Sequence, residues 1–152
     1  MSTAGSDDGC IFCDSLSEGD DVSARILYRG ETTFVILNAF PYNTGHLMVA
    51  PLRHLGDITD LDDRERTELM GLTCRSVSLL REGIGPHGFN VGMNLGTVAG
   101  AGIPGHVHMH VVPRWGGDTN FMPVVGDTKV LPEVIEQTDA KLRPLFGRLH
   151  QA

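Results

Sequence analysis

The chain has 152 residues, 41% of them hydrophobic, which suffices for one domain with a core of its own and no disulfide staples. Its net charge of −7, from 12 basic and 19 acidic residues, argues against long nucleic acid as a partner, yet a small nucleotide can still be held by a few backbone N–H groups. No apolar run approaches the ~20 residues of a membrane span, so no membrane partner is expected.

Residues 1–9 are small, polar and acidic, without the basic and apolar stretches of a signal peptide; they predict a disordered lead-in to a single domain over 10–152, in the cytoplasm. Cys10-Ile11-Phe12-Cys13 follows, and in a cytosolic protein that spacing means metal or redox chemistry before it means a disulfide. Strand-like runs come next at Ala24 to Arg29, Thr33 to Phe40 and Gly45 to Leu52. Gly30-Glu31 and Pro41-Tyr42-Asn43-Thr44 join them by connections short enough to force antiparallel pairing.

Leu61 to about Glu82 reads as a long helix, with Leu69, Leu72, Ser76, Leu79 and Leu80 on one face and acidic residues at its positive end. Cys74 falls inside that pattern as a small buried hydrophobe. Gly88 to Leu95 and Gly105 to Arg114 are further strands, and a second helix is expected from Pro132. Its buried side would be Val134, Ile135, Leu142 and Leu145, with Pro144 an end or a kink. Strands followed by a helix and more strands predict an α+β domain with the helices on one sheet face.

The last strand carries the chemistry. In His106-Val107-His108-Met109-His110-Val111-Val112 the apolar residues alternate with histidines, so the three imidazoles share a face while Val107, Met109 and Val111 enter the core. Three imidazoles are costly to bury unpaired, so that face lines a pocket or binds something. Glycines cluster between residues 83 and 117, which implies tight turns or close backbone approach to a ligand.

The run His106 to Val112 with Pro113-Arg114 resembles the histidine triad (HIT) family of nucleotide-binding hydrolases and transferases. So do the strand ending in Asn38, the Gly45-His46 pair, and Asn94-Leu95-Gly96 before a glycine loop; the tail Gly116 to Phe121 is similar to a bacterial branch that includes a diadenosine tetraphosphate phosphorylase. The resemblance implies a HIT-like fold, with a five-stranded antiparallel sheet, one long helix, a C-terminal helix, and two sheets joined in a homodimer. It implies a small nucleotide substrate, adenine or another purine, and no organic cofactor. His108 would be the catalytic nucleophile that attacks the α-phosphate and carries a nucleotidyl intermediate, which water or inorganic phosphate then releases. His46 would support it by accepting its ring proton. Asn38, Asn94, Gly100, Gly102 and His110 would hold ribose and phosphates. Many members place a Gln in the glycine loop; here the stretch reads Gly100-Ala101-Gly102-Ile103-Pro104-Gly105, with no amide or hydroxyl side chain.

Some bacterial members also supply two histidines to a zinc site beside a cysteine pair. The matching set here is Cys10, Cys13, His54 and His106, which predicts a structural zinc. Two rival readings of the strand histidines stand beside this one: a metal-dependent β-barrel enzyme, and a nucleotide-binding module with little turnover.

Overall fold

The computed structural model describes residues 9–118 and 134–151. Residues 1–8 of the lead-in expected at 1–9, and the expected helix start at Pro132, lie outside them. Five strands, β1 (Ile26–Arg29), β2 (Thr33–Leu37), β3 (Leu47–Pro51), β4 (Gly88–Gly92) and β5 (Met109–Arg114), form one antiparallel sheet in the order β1-β2-β3-β5-β4. The short links expected from the sequence place β1, β2 and β3 side by side. Two helices, α1 (Ile11–Ser17) and α2 (Asp21–Ala24), precede the sheet, α3 (Asp63–Ile84) runs between β3 and β4, and α4 (Ile135–Gly147) follows β5.

Every residue of β2 and β3 is buried, so both sheet faces are covered. Alternate residues divide between two cores, as the strand period of two requires. Val35, Leu37, Leu47, Val49 and Val111 pack with Leu69, Leu72, Leu79 and Leu80 of α3 and Leu142 and Phe146 of α4. Phe34, Ile36, Met48 and Ala50 point the other way, against Phe12 and Cys10. The helices were expected on one face only. The chain at α1 is too short to show a helical period, so its coverage of the second face was not legible. That second face matters most, because His110 pairs across from Met48 and therefore lies on it.

Helix α3 starts where the Asp62 carboxylate accepts from the Glu65 N–H at 2.8 Å and the Glu65 carboxylate accepts from the Asp62 N–H at 3.0 Å. It ends at Gly85, whose φ of 59° favours a residue without a side chain. Leu69, Leu72, Ser76, Leu79 and Leu80 are buried as expected, each leucine contributing about 1.5–3 kcal/mol. Cys74 is exposed, because it sits on the flank away from that stripe. Helix α4 buries Thr138, Leu142 and Phe146, while Val134 is exposed at its N-terminal boundary. Pro144 sits inside it, and the helix continues to Gly147.

The histidine strand is shorter than expected. Ladder pairing begins at Met109, so His106 and His108 precede β5. Opposite them, Pro51 has no N–H to donate, and its carbonyl instead accepts from the His106 ring at 2.8 Å. Val107 is tied by its N–H to the Leu55 carbonyl at 2.8 Å.

Candidate active site and metal centre

His108 has 5% of its surface exposed. Its Nδ1–H donates to the backbone carbonyl of His106 at 2.9 Å, which fixes the tautomer and leaves the Nε2 lone pair without a hydrogen bond among the described residues. Burial lowers the pKa of the ring and the carbonyl works against it, so the imidazole is neutral at pH 7. The proton acceptor is thus two residues away in the same segment. His46, implied by the resemblance, does not fill that place.

His46 serves His110 instead. The backbone N–H of Tyr42 donates to His46 Nδ1 at 3.1 Å, so the ring proton sits on Nε2, which donates to His110 Nδ1 at 2.9 Å. That leaves His110 with its own proton on Nε2, ready to donate to an anion. Burial first, then the neighbouring His110 and His108, push His46 down to about 4, so this chain of donors persists through neutral pH. Tyr42 packs over His46 at 4.6 Å between ring centroids and stacks with His110 at 6.1 Å.

The loop from β2 to β3 that carries Tyr42 is clamped to the end of β5. Asn43 Nδ2 donates to the Pro113 carbonyl at 3.0 Å and to the Asp118 carboxylate at 2.6 Å. Asp118 also accepts from Arg114 at 2.9 Å and from the Trp115 N–H at 2.9 Å. These donors, Arg114 foremost, hold its carboxyl far below the usual range. Tyr42, Asn43 and Asp118 were not singled out from the sequence, where nothing tells a loop clamp from ordinary turn residues.

Asn38 is half-buried just beyond β2; its Oδ1 accepts from the Phe40 N–H at 2.8 Å, and its Nδ2 lies 3.5 Å from both His46 nitrogens. Asn94 is exposed beyond β4, and its amide nitrogen is 3.8 Å from where a Cβ on Gly100 would stand. Gly100 has φ of +95°, which favours glycine. Gly102 has open space around it, and its backbone makes no demand for glycine.

Cys10, Cys13, His54 and His106 meet on the far side of His108, their ligand atoms all within 4.8 Å of one another. The Cys10 sulfur is 3.4 Å from His106 Nδ1, and the Cys13 sulfur is 3.4 Å from His54 Nδ1 and 3.7 Å from His106 Nδ1. A tetrahedral zinc with bonds of about 2.0–2.3 Å separates its ligand atoms by about 3.3–3.8 Å. The Nε2–H of His106 is held by Pro51, which turns its Nδ1 lone pair towards the cysteines, the outer support expected of a metal-binding imidazole. The donor set and its spacing fit a structural zinc whose ligands would come from α1 and the residue before it, the loop after β3 and the first triad residue.

The sequence profile of the HIT domain matches residues 20–117. The chain belongs to the HIT family. It is 46% identical over 128 residues to the AP-4-A phosphorylase of Mycobacterium tuberculosis H37Rv, a match covering 84% of this chain. The chain spans 66% of the length of that relative. It is also 32% identical to an uncharacterized HIT-like protein of Methanocaldococcus jannaschii, covering 72% of this chain and 81% of the other. Among solved structures, a zinc-bound histidine triad family protein from Mycobacterium smegmatis superposes with a TM-score of 0.72 at 25% identity, over 94% of this chain and 96% of that one. Membership disposes of the β-barrel metalloenzyme reading, and the metal cluster uses only the first histidine of the triad.

Proposed function

We propose that this HIT protein splits a dinucleoside tetraphosphate with inorganic phosphate, through a nucleotide held covalently on His108. The observation that carries the chemistry is the His108 ring: neutral, with its proton committed to the His106 carbonyl and its Nε2 lone pair unspent. The choice of phosphate over water as second nucleophile is supported by the likeness to the mycobacterial AP-4-A phosphorylase.

His108 Nε2 attacks the α-phosphorus, forming an N–P bond as the P–O bond to the departing ATP breaks. The ring becomes cationic with its Nδ1 proton in place, and the His106 carbonyl holds that charge. An oxygen of inorganic phosphate then attacks the same phosphorus, the N–P bond breaks, ADP leaves and the ring is neutral again. His110 Nε2–H donates to an α-phosphate oxygen throughout. Asn38, through its Nδ2, and Asn94 would hold the ribose and phosphate side. Gly100 and Gly102 offer backbone N–H groups without a side chain in the way. A zinc held by Cys10, Cys13, His54 and His106 would have a structural part, leaving His108 for the chemistry.

The functional unit is read as a homodimer. β4 is an edge strand whose Val91 is exposed, with exposed Leu95 and Val98 just beyond, and pairing of two such edges would join two sheets. No described helix is long and apolar enough to cross a membrane, and a cytoplasmic location is part of the proposal.

Incubation with diadenosine tetraphosphate, with and without phosphate, tests the reading. ADP plus ATP appearing only with phosphate is the expected result. AMP plus ATP in its absence makes the protein a hydrolase, and no product with either leaves a nucleotide-binding module.

A further inference from the structure

Phe12 stands between the two cysteines of the metal cluster and is completely buried. Its ring packs at 5.0 Å against the ring of His106 and at 5.0 Å against that of His108. On its other side it meets Phe34 of β2 edge-on at 6.1 Å. His106 in turn is tied to the cluster by its ring, while its backbone carbonyl accepts the His108 proton at 2.9 Å. Two of the contacts on the His108 ring therefore come from the metal-binding segments, beside the ring of His110, which meets it edge-on at 4.7 Å.

We propose that the Cys10–Cys13 knuckle is a positioning device for His108: Phe12 fixes the plane of its ring, and the carbonyl of metal-bound His106 fixes its tautomer. An imidazole on a single bond from Cβ can turn about χ2, and one hydrogen bond leaves that rotation soft. The Phe12 ring, tilted 46° from the imidazole plane, restricts it on one side as His110 does edge-on. The Cys-x-x-Cys spacing serves this purpose because a ring placed between two anchored cysteines cannot swing away. A bound zinc would hold α1 in place, and with it the ring. Phe12 is thus a positioning residue, acting on the nucleophile without touching substrate.

The inference rests on the role proposed for His108, but its primary test does not require turnover. In protein labelled with 15N at histidine, the His108 ring of the wild type is expected to show a single Nδ1–H tautomer. In Phe12→Ala it is expected to show a mixture, with zinc content still at one equivalent and the far-ultraviolet circular dichroism unchanged. Phe12→Leu, which refills most of the space, is expected to restore much of the wild-type spectrum. Phe34→Ala loosens the same core without touching His108 and is expected to leave the tautomer alone. Where phosphorolysis is measurable, Phe12→Ala is expected to lower kcat by about 10–100-fold with KM within about twofold, since misplacement of a reacting group by about 1 Å has that effect. If the zinc-replete Phe12→Ala protein keeps the wild-type tautomer, or if Phe34→Ala disturbs it equally, the proposal is overturned. Should Phe12→Ala fail to fold, the same comparison between Phe12→Leu and Phe12→Met decides it: an unchanged His108 spectrum in both counts against the device. Absence of turnover in the wild type with the spectra as expected removes the proposed function and leaves the positioning intact.

Discussion

The state of each histidine here is set by one hydrogen bond. His108 donates to a carbonyl from Nδ1, whereas His46, which accepts from the Tyr42 N–H, and His106, which donates to Pro51, both carry the proton on Nε2, so the nucleophile candidate alone of the three holds the Nδ1–H tautomer. Replacing His108 with Ala is expected to reduce phosphorolysis by about 10⁴-fold or more while nucleotide binding, read by calorimetry, persists. His46→Ala removes the donor to His110 Nδ1 and frees that ring to turn. A fall in kcat/KM of about 10–100-fold is expected in steady-state assays, and unchanged kinetics would show that His110 needs no such support. The sequence brought His106, His108 and His110 together through the spacing of the triad, and His46 through the family resemblance of the Gly45-His46 pair. It did not reveal who donates to whom, because the carbonyl that orients His108 belongs to the backbone, which carries no residue-type signal.

At the scale of elements, α3 carries two features that stability measurements can read. Ser76 is fully buried, and its hydroxyl finds no hydrogen-bond partner among the described residues. Ser76→Ala is expected to stabilise the protein by about 1 kcal/mol, a rise in Tm of about 2–4 °C. Glu68 clips the β1–β2 turn to the helix, accepting from the N–H groups of Thr32 at 2.8 Å and Thr33 at 2.7 Å and from the Thr33 hydroxyl at 2.7 Å. A Cβ on Gly30 would come within 2.5 Å of that carboxylate, so the turn approaches it closely. Burial by itself would raise the Glu68 pKa, but these donors outweigh it and the net shift is downward. The unfolded chain therefore takes up this proton at a higher pH than the folded one. The stabilisation is complete above the ordinary glutamate value and is lost as pH falls through the lowered one. Denaturant unfolding of Glu68→Gln is expected to show a shallower loss of stability than the wild type as pH falls below the ordinary glutamate value of about 4.3. The helix itself was legible from its leucine spacing, but the partner of Glu68 was not, since the turn it grips is 35 to 37 positions away.

For the molecule as a whole, the metal cluster joins the N-terminal segment, the loop after β3 and the start of the histidine run, segments up to 96 residues apart in sequence. Binding there acts on the folded state alone, so removing the metal should destabilise the entire domain. Chelation, or Cys13→Ser, is expected to lower Tm by about 10 °C or more, with metal analysis falling from one equivalent of zinc to none. A Tm unmoved by complete metal removal would deny the site a structural role. The proposed dimer makes a separate demand: Val91→Asp on the exposed edge of β4 is expected to shift sedimentation from dimer to monomer, because a buried unpaired carboxylate is costly at an apolar contact.

The residues proposed for the chemistry are marked by local pattern. Alternating histidines, a paired-cysteine spacing and a leucine stripe are short-range signals, and each follows from the period of a strand or helix or from the reach of a metal ion. Only the tertiary structure decided which face those histidines occupy, that a helix too short to have a period covers that face, that β3–β5 pairing stops short of Pro51, and that Phe12 packs on His108. These facts depend on segments brought together from far along the chain, where packing chooses among neighbours that no local period can distinguish.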